Sequence, residues 1–259
     1  QNPHSYEPTP RQMSDLAQAG VWILSGAEFE IGLKPKIASL FPGLLILDGT
    51  EGVRFRRLEE GEEDHDEDSA GEGGSGGPAD SIPAGMDRHT WLGEEPARIM
   101  AAHIRDALSA IDGEGASRYE ENCAALIREI TGEFDSLRRE LAPLRGTTVF
   151  VYHPAFGYFL DEFGIVQRAV ETGGKEPGPR DLARLIGDAR REKTAAIFVQ
   201  AQFPAEAART AAAAIGAELL PLDPLAEDWL SNIRLMGSTL KKAALEKAAL
   251  WPGQGSGNE

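Results

Sequence analysis

Cysteine is almost absent from this chain: Cys123 stands alone among 259 residues. One thiol closes no internal disulfide, and it excludes the thiolate clusters on which many structural zinc sites are built. Set at helical spacing, it reads as a small core residue rather than a nucleophile. Apolar runs are short, and none reaches the roughly 18 residues that mark a membrane-spanning helix. No basic start followed by an apolar stretch opens the chain, so its first residues do not read as a signal peptide, and the chain reads as a mature or trimmed form. Cationic residues are also scarce, 26 Lys and Arg against 42 Asp and Glu, for a formal net charge of −16. Such a surface repels nucleic acid and anionic lipid.

Histidine is scarce too, five in all, yet three sit in distinctive surroundings. They are His4 in Asn-Pro-His-Ser-Tyr-Glu-Pro, His89 in Asp-Arg-His-Thr-Trp-Leu, and His153 in Val-Tyr-His-Pro-Ala-Phe-Gly-Tyr-Phe. Asp223, in Leu-Pro-Leu-Asp-Pro-Leu, joins them as a candidate. Three imidazoles and one carboxylate suit a borderline-soft divalent ion, above all zinc.

An apolar fraction of 41% is enough for real cores, and the length suits one large or two medium domains. Residues 10–19 read as a helix, 21–24 as a buried strand, 28–40 as a second helix and 43–47 as a second strand. Between 58 and 87 the pattern stops. Eight acids in the ten positions 59–68 surround His65, and Ser and Gly follow to Gly77, so this stretch reads as a mobile acidic loop. Helices are expected at 94–111 and 116–141, the latter amphipathic through Leu126, Ile127, Ile130, Phe134, Leu137 and Leu141. At 1.5 Å per residue that helix would span roughly 39 Å, a strut between lobes. A second alternating set follows: strands at 147–152, 165–171, 195–200 and 218–222, with helices at 155–163, 179–191, 204–215 and 227–250. The expected fold is α/β, two lobes with parallel sheets joined by one long helix. The boundaries fall at 1–114, 115–143 and 144–259.

His153 directly follows one apolar strand and Asp223 another, and ligands of open α/β sheets bind outside the carboxyl ends of strands. His4 and His89 lie in loops of the first lobe that precede helices. A metal site in the cleft, with two ligands from each lobe, follows from these addresses.

The chain resembles the zinc-uptake (ZnuA/TroA-like) substrate-binding proteins of bacterial ABC transporters, cluster A-I. The likeness runs through Pro-His-Ser-Tyr-Glu-Pro-Thr-Pro, His-Thr-Trp-Leu, the Asn122 region, His-Pro-Ala-Phe-Gly-Tyr-Phe, residues 197–204 and Leu-Asp-Pro-Leu. It implies a zinc-binding solute receptor, not an enzyme, whose metal ligands are His4, His89, His153 and Asp223. It implies a membrane permease as partner, a monomer, and an extracytoplasmic location, free in the periplasm or lipid-anchored. Manganese-preferring members tend to carry a carboxylate where this chain has His153, and imidazole there shifts preference toward zinc. Members also usually carry a strand, a helix and a strand ahead of the first histidine, so the first lobe is expected to lack that part of its sheet. The family's histidine-rich loop is here acidic, with His65 alone.

Other readings stay open on the residues themselves. His89 or Asp223 would serve as a helix cap, and His153 as a satisfied core histidine. His103, in mid-helix, reads as a packing residue. The acidic loop reads as solvated or as a weak zinc collector around His65. Tyr6, Trp91, Phe156 and Tyr158 flank the candidates; packing is their default role, and they would also keep the site dry. A zinc hydrolase needs an open coordination position and a base. Glu7 and Asp161 have no supporting spacing for that role, and Asp223 would fill the position. Manganese or iron delivery, or surface adhesion, would keep the fold and change the task.

Overall fold

The computed structural model describes residues 6–58, 85–171, 177–203 and 206–250, with side chains up to residue 246. His4, His65, the acidic stretch 59–77 and the polar tail from 251 lie outside the described residues. The described residues up to Arg57 and those from 85 to 132 form one compact unit; those from 133 onward form a second.

In the first unit, α1 (Pro10–Leu16) starts on a reciprocal cap. Gln12 N–H donates to Thr9 Oγ1 and Thr9 N–H to Gln12 Oε1, with Pro10 in the first turn. This helix is shorter than the expected 10–19, because Gln18 N–H and Ala19 N–H close tighter turns onto Asp15 O and Leu16 O. The parallel pair β1 (Val21–Leu24) and β2 (Leu45–Asp48) flanks α2 (Glu28–Leu40). Strand β2 begins two residues later than expected, since Val21 pairs with Leu45 and sets the register. The turn into α2 is built around a carboxylate. Glu30 accepts from the N–H groups of Ser25, Gly26 and Ala27 and from Ser25 Oγ. Gly26 makes that convergence possible with φ 87°, a backbone conformation that side chains disfavour. Burial pushes the Glu30 carboxyl above its ordinary value, although the bonds from Ser25, Gly26 and Ala27 pull the other way. Helix α3 (Glu94–Ile111) follows a short 3₁₀ turn at Thr90–Leu92, and His103 within it bonds the main-chain oxygen of Glu51.

Helix α4 (Ala116–Glu140) runs 25 residues, about 37 Å at 1.5 Å per residue. Its buried stripe is Cys123, Ile130, Phe134 and Leu137, continued by Leu141. Cys123 is therefore a core residue, as its spacing predicts, and its Sγ lies 3.5 Å from Ala101 O. Leu126 is the exception to the expected face, being 41% exposed.

The second unit holds a four-stranded parallel sheet in the order β4-β3-β5-β6. Its strands are β3 (Thr148–Val151), β4 (Val166–Ala169), β5 (Ala196–Val199) and β6 (Glu218–Pro221). The crossovers are α5 (Gly157–Asp161), α6 (Pro179–Arg191) and α7 (Glu206–Ile215), and α8 (Trp229–Leu250) follows β6. Phe150, Tyr152 and Ile197 face Leu185 and Ala189 of α6 and Ala208, Ala211 and Ala212 of α7. On the opposite face Val149 and Phe198 line a small cavity together with Leu240 and Ala243 of α8. Two covered faces explain why β3 and β5 read as unbroken apolar runs, while edge strand β4 alternates.

Strands β3, β4 and β5 fall short of the expected spans at both ends and β6 at its carboxyl end alone, although Tyr152 N–H to Phe198 O and Leu222 N–H to Val199 O still carry the ladder one residue further. Helix α5 is also shorter than 155–163. Phe156 N–H is taken by Gln167 Oε1, and Gly164 at φ 65° ends the following turn. The last helix starts at Trp229 instead of 227, capped by Asp228 accepting from Ser231 N–H.

Candidate metal centre

In a parallel sheet every strand delivers its carboxyl end to the same edge, and each strand of the second unit contributes there. His153 follows β3, Glu171 follows β4, residues 200–203 follow β5 and Asp223 follows β6. Because β5 lies between β3 and β6, the loop after it touches the residues on both sides. Gln200 Nε2 donates to His153 O at 2.7 Å, and its Oε1 accepts from His153 N–H at 3.2 Å, continuing the ladder with a side chain. Phe203 stacks on the His153 ring, centroids 4.4 Å apart. Gln202 donates to Asp223 Oδ1 at 2.9 Å. Two consecutive residues thus contact His153 and Asp223, which places both candidates at one end of the sheet.

His153 is 1% exposed, and its Nδ1 lies 2.5 Å from Oε1 of the buried Glu171. An ionised carboxylate only accepts, so facing one, Nδ1 is the donor of this pair. A core histidine would be satisfied by this bond as well. The pairing is also the one that metal-bound histidines use to fix tautomer and orientation.

His89 repeats the device in the first unit. Its Nδ1 and its main-chain N–H both meet Asp87 Oδ1, at 2.8 and 2.9 Å. The other oxygen of Asp87 accepts from Arg56 Nη1 at 2.7 Å, and Asp87 N–H donates to Arg56 O. Thr90 Oγ1 donates to Ser25 O, tying the segment to the turn that Glu30 organises. Trp91 meets the His89 ring edge-on, and Tyr6 packs on Phe29. His89 makes no side-chain cap; Gly93 is the residue that precedes α3.

Burial pushes the Asp87 carboxyl upward, but the hydrogen bond and charge of His89 and the charge of Arg56 outweigh it and hold it below 3.8. A carboxyl lowered in the folded state stabilises the fold above its unfolded value. That contribution is lost as pH falls through the folded one. Denaturant titrations should show it: the parent loses resistance below about pH 4, whereas Asp87→Asn starts lower at neutral pH and changes less across that window.

Asp223 is held at three points. Its Oδ1 accepts from Gln202 Nε2 and from Leu225 N–H, both at 2.9 Å, and its main-chain oxygen accepts from Asn232 Nδ2 at 2.7 Å. Pro224 supplies the fixed φ that lets Leu225 fold back in a local turn. The carboxylate therefore does not cap the helix that follows.

Asp87, Glu171, Gln200 and Gln202 were not singled out by the sequence pattern. Asp87 had a local signal, two residues ahead of its histidine; Gln200 lies 47 residues from its partner and Gln202 lies 21. His4 lies outside the described residues. Among the described residues, no group of three or more His, Cys, Asp or Glu within either unit is gathered as an ion-holding cluster.

Parallel α/β units with strand-end and loop histidines set on buried carboxylates have the build of a metal-binding protein. The family model for the zinc-uptake complex component A, periplasmic (ZnuA), matches residues 1–243, and the chain belongs to that family. It is similar to a putative metal-binding protein of Chlamydia muridarum, 24% identical over 238 residues, 90% of this chain and 76% of that one. It is also similar to the zinc-binding lipoprotein AdcA of Streptococcus pneumoniae, 25% identical over 235 residues. That match takes in 86% of this chain but only 43% of AdcA. A crystal structure of ZnuA superposes with a TM-score of 0.81 at 28% identity, over 93% of this chain and 86% of that one.

Proposed function

We propose that this chain is the zinc-capturing, non-enzymatic receptor of an ABC importer, which passes the ion to a membrane permease. His4, His89, His153 and Asp223 hold one zinc ion through three imidazole nitrogens and one carboxylate oxygen, a closed four-ligand shell. The observation that carries this reading is the pair of buried carboxylates, Asp87 and Glu171, set on Nδ1 of His89 and His153. Each fixes a neutral ring with Nε2 as the donor toward the ion. Membership of the zinc-uptake family and the likeness to a zinc-binding lipoprotein support zinc as the cargo. The receptor works outside the cytoplasmic membrane, free in the periplasm or held by a lipid anchor, as a monomer without affinity for nucleic acid.

Calorimetric titration of chelator-stripped protein tests the proposal. The expected result is saturable uptake of one zinc per chain, weakening as pH falls because the imidazoles must shed protons to bind. Failure to saturate, or tighter binding of manganese than of zinc, contradicts it.

A further inference from the structure

Asp223 Oδ1 accepts two hydrogen bonds, from Gln202 Nε2 and Leu225 N–H, each 2.9 Å long. A carboxylate oxygen offers about two lone-pair sites, so this one is filled. Oδ2 is then the oxygen left to meet a cation. The other end of Gln202 supports the same point: its Oε1 is buried without a hydrogen-bond partner among the described residues. A buried orphan carbonyl is unfavourable, and reversing the amide would set that oxygen against Asp223 Oδ1. The side chain is therefore oriented by its donor end, toward the carboxylate.

We infer that Gln202 is a positioning residue that keeps Asp223 monodentate and so sets which metal the site prefers. The inference rests on the four-ligand reading above. With one oxygen available, Asp223 completes a four-coordinate shell, which zinc favours. Manganese favours more oxygen ligands and higher coordination, and a carboxylate locked at one oxygen withholds the extra one. Releasing Oδ1 would let Asp223 turn both oxygens to the ion. Leu225 cannot prevent this alone, since it fills only one of the two lone-pair sites.

The test uses the full chain with Gln202→Leu, Gln202→Met and Asp223→Ala, each checked for folding by circular dichroism. Cobalt(II) is the spectroscopic probe, because its visible absorption is intense in four-coordinate sites and much weaker at higher coordination. Both Gln202 variants are expected to bind cobalt with reduced visible absorption. Their preference for zinc over manganese, measured by competition, should fall about tenfold, in the range typical of changes around metal ligands. Asp223→Ala is expected to weaken both metals. A parent-like cobalt spectrum and an unchanged zinc-to-manganese ratio in both Gln202 variants would overturn the inference while leaving the four-ligand reading in place. Parent-like zinc affinity in Asp223→Ala removes that reading, and the inference with it.

Discussion

Replacing His153 by alanine is expected to weaken zinc binding by two to three orders of magnitude. A four-ligand structural zinc site yields roughly 10–16 kcal/mol, so one ligand is worth about 3–4 kcal/mol. The same change acts on the apo protein, because Glu171 loses the group that its Oε1 meets in the buried interior. Depriving a buried polar group of its partner costs about 1–3 kcal/mol, so a lower unfolding midpoint is expected without metal. Glu171→Gln separates the two effects. An amide oxygen still accepts from Nδ1–H, but the charge that raises the ring's basicity is gone. Zinc binding should then fall by about 10–100-fold, less than in His153→Ala. Calorimetry on the single and double variants reads the coupling: the double change should cost less than the two single ones together, since both act on one contact. Zinc affinity equal to the parent's in His153→Ala would remove His153 from the site.

The parallel α/β fold was legible because its signals are local. The apolar runs of β1, β3 and β5, and the prolines opening α1 and α6, mark elements without reference to anything distant. The ends of the strands were not legible. Where β3 stops depends on Gln200, 47 residues away, which takes over the main chain of His153. Leu126 lies on the same helical stripe as Ile130 by spacing, and its exposure depends on what is packed opposite, which periodicity does not encode. At the candidate site, His153 and Asp223 were readable from position alone: each follows an apolar strand, and parallel strands send their ends to one edge. Their supports were not readable. Glu171 is one of 42 acidic residues, and its role appears only when β4 is set beside β3.

The second unit's core yields the largest expected loss of stability. Phe134, on the C-terminal part of α4, is fully buried among Phe159, Phe163 and Trp229, with ring centroids 6.1 to 6.5 Å away. One helical turn further, Leu137 approaches α8 where Gly237 leaves room; a Cβ at Gly237 would meet its Cδ2 at 2.3 Å. Helices α4 and α8 are therefore in close contact there, and little slack remains to refill a cavity. Phe134→Ala is expected to cost about 3–5 kcal/mol, the range for large-to-small changes at aromatic core positions. In a chain of this size that corresponds to a fall in Tm on the order of 10 °C. The measurement belongs in chelator, because bound zinc would add stability through mass action and mask the loss. Tryptophan fluorescence suits it, since Trp229 lies within the cluster itself. A cost under about 1 kcal/mol would mean that the far half of α4 is not part of this core, and the grouping of residues from 133 onward with the second sheet would fail.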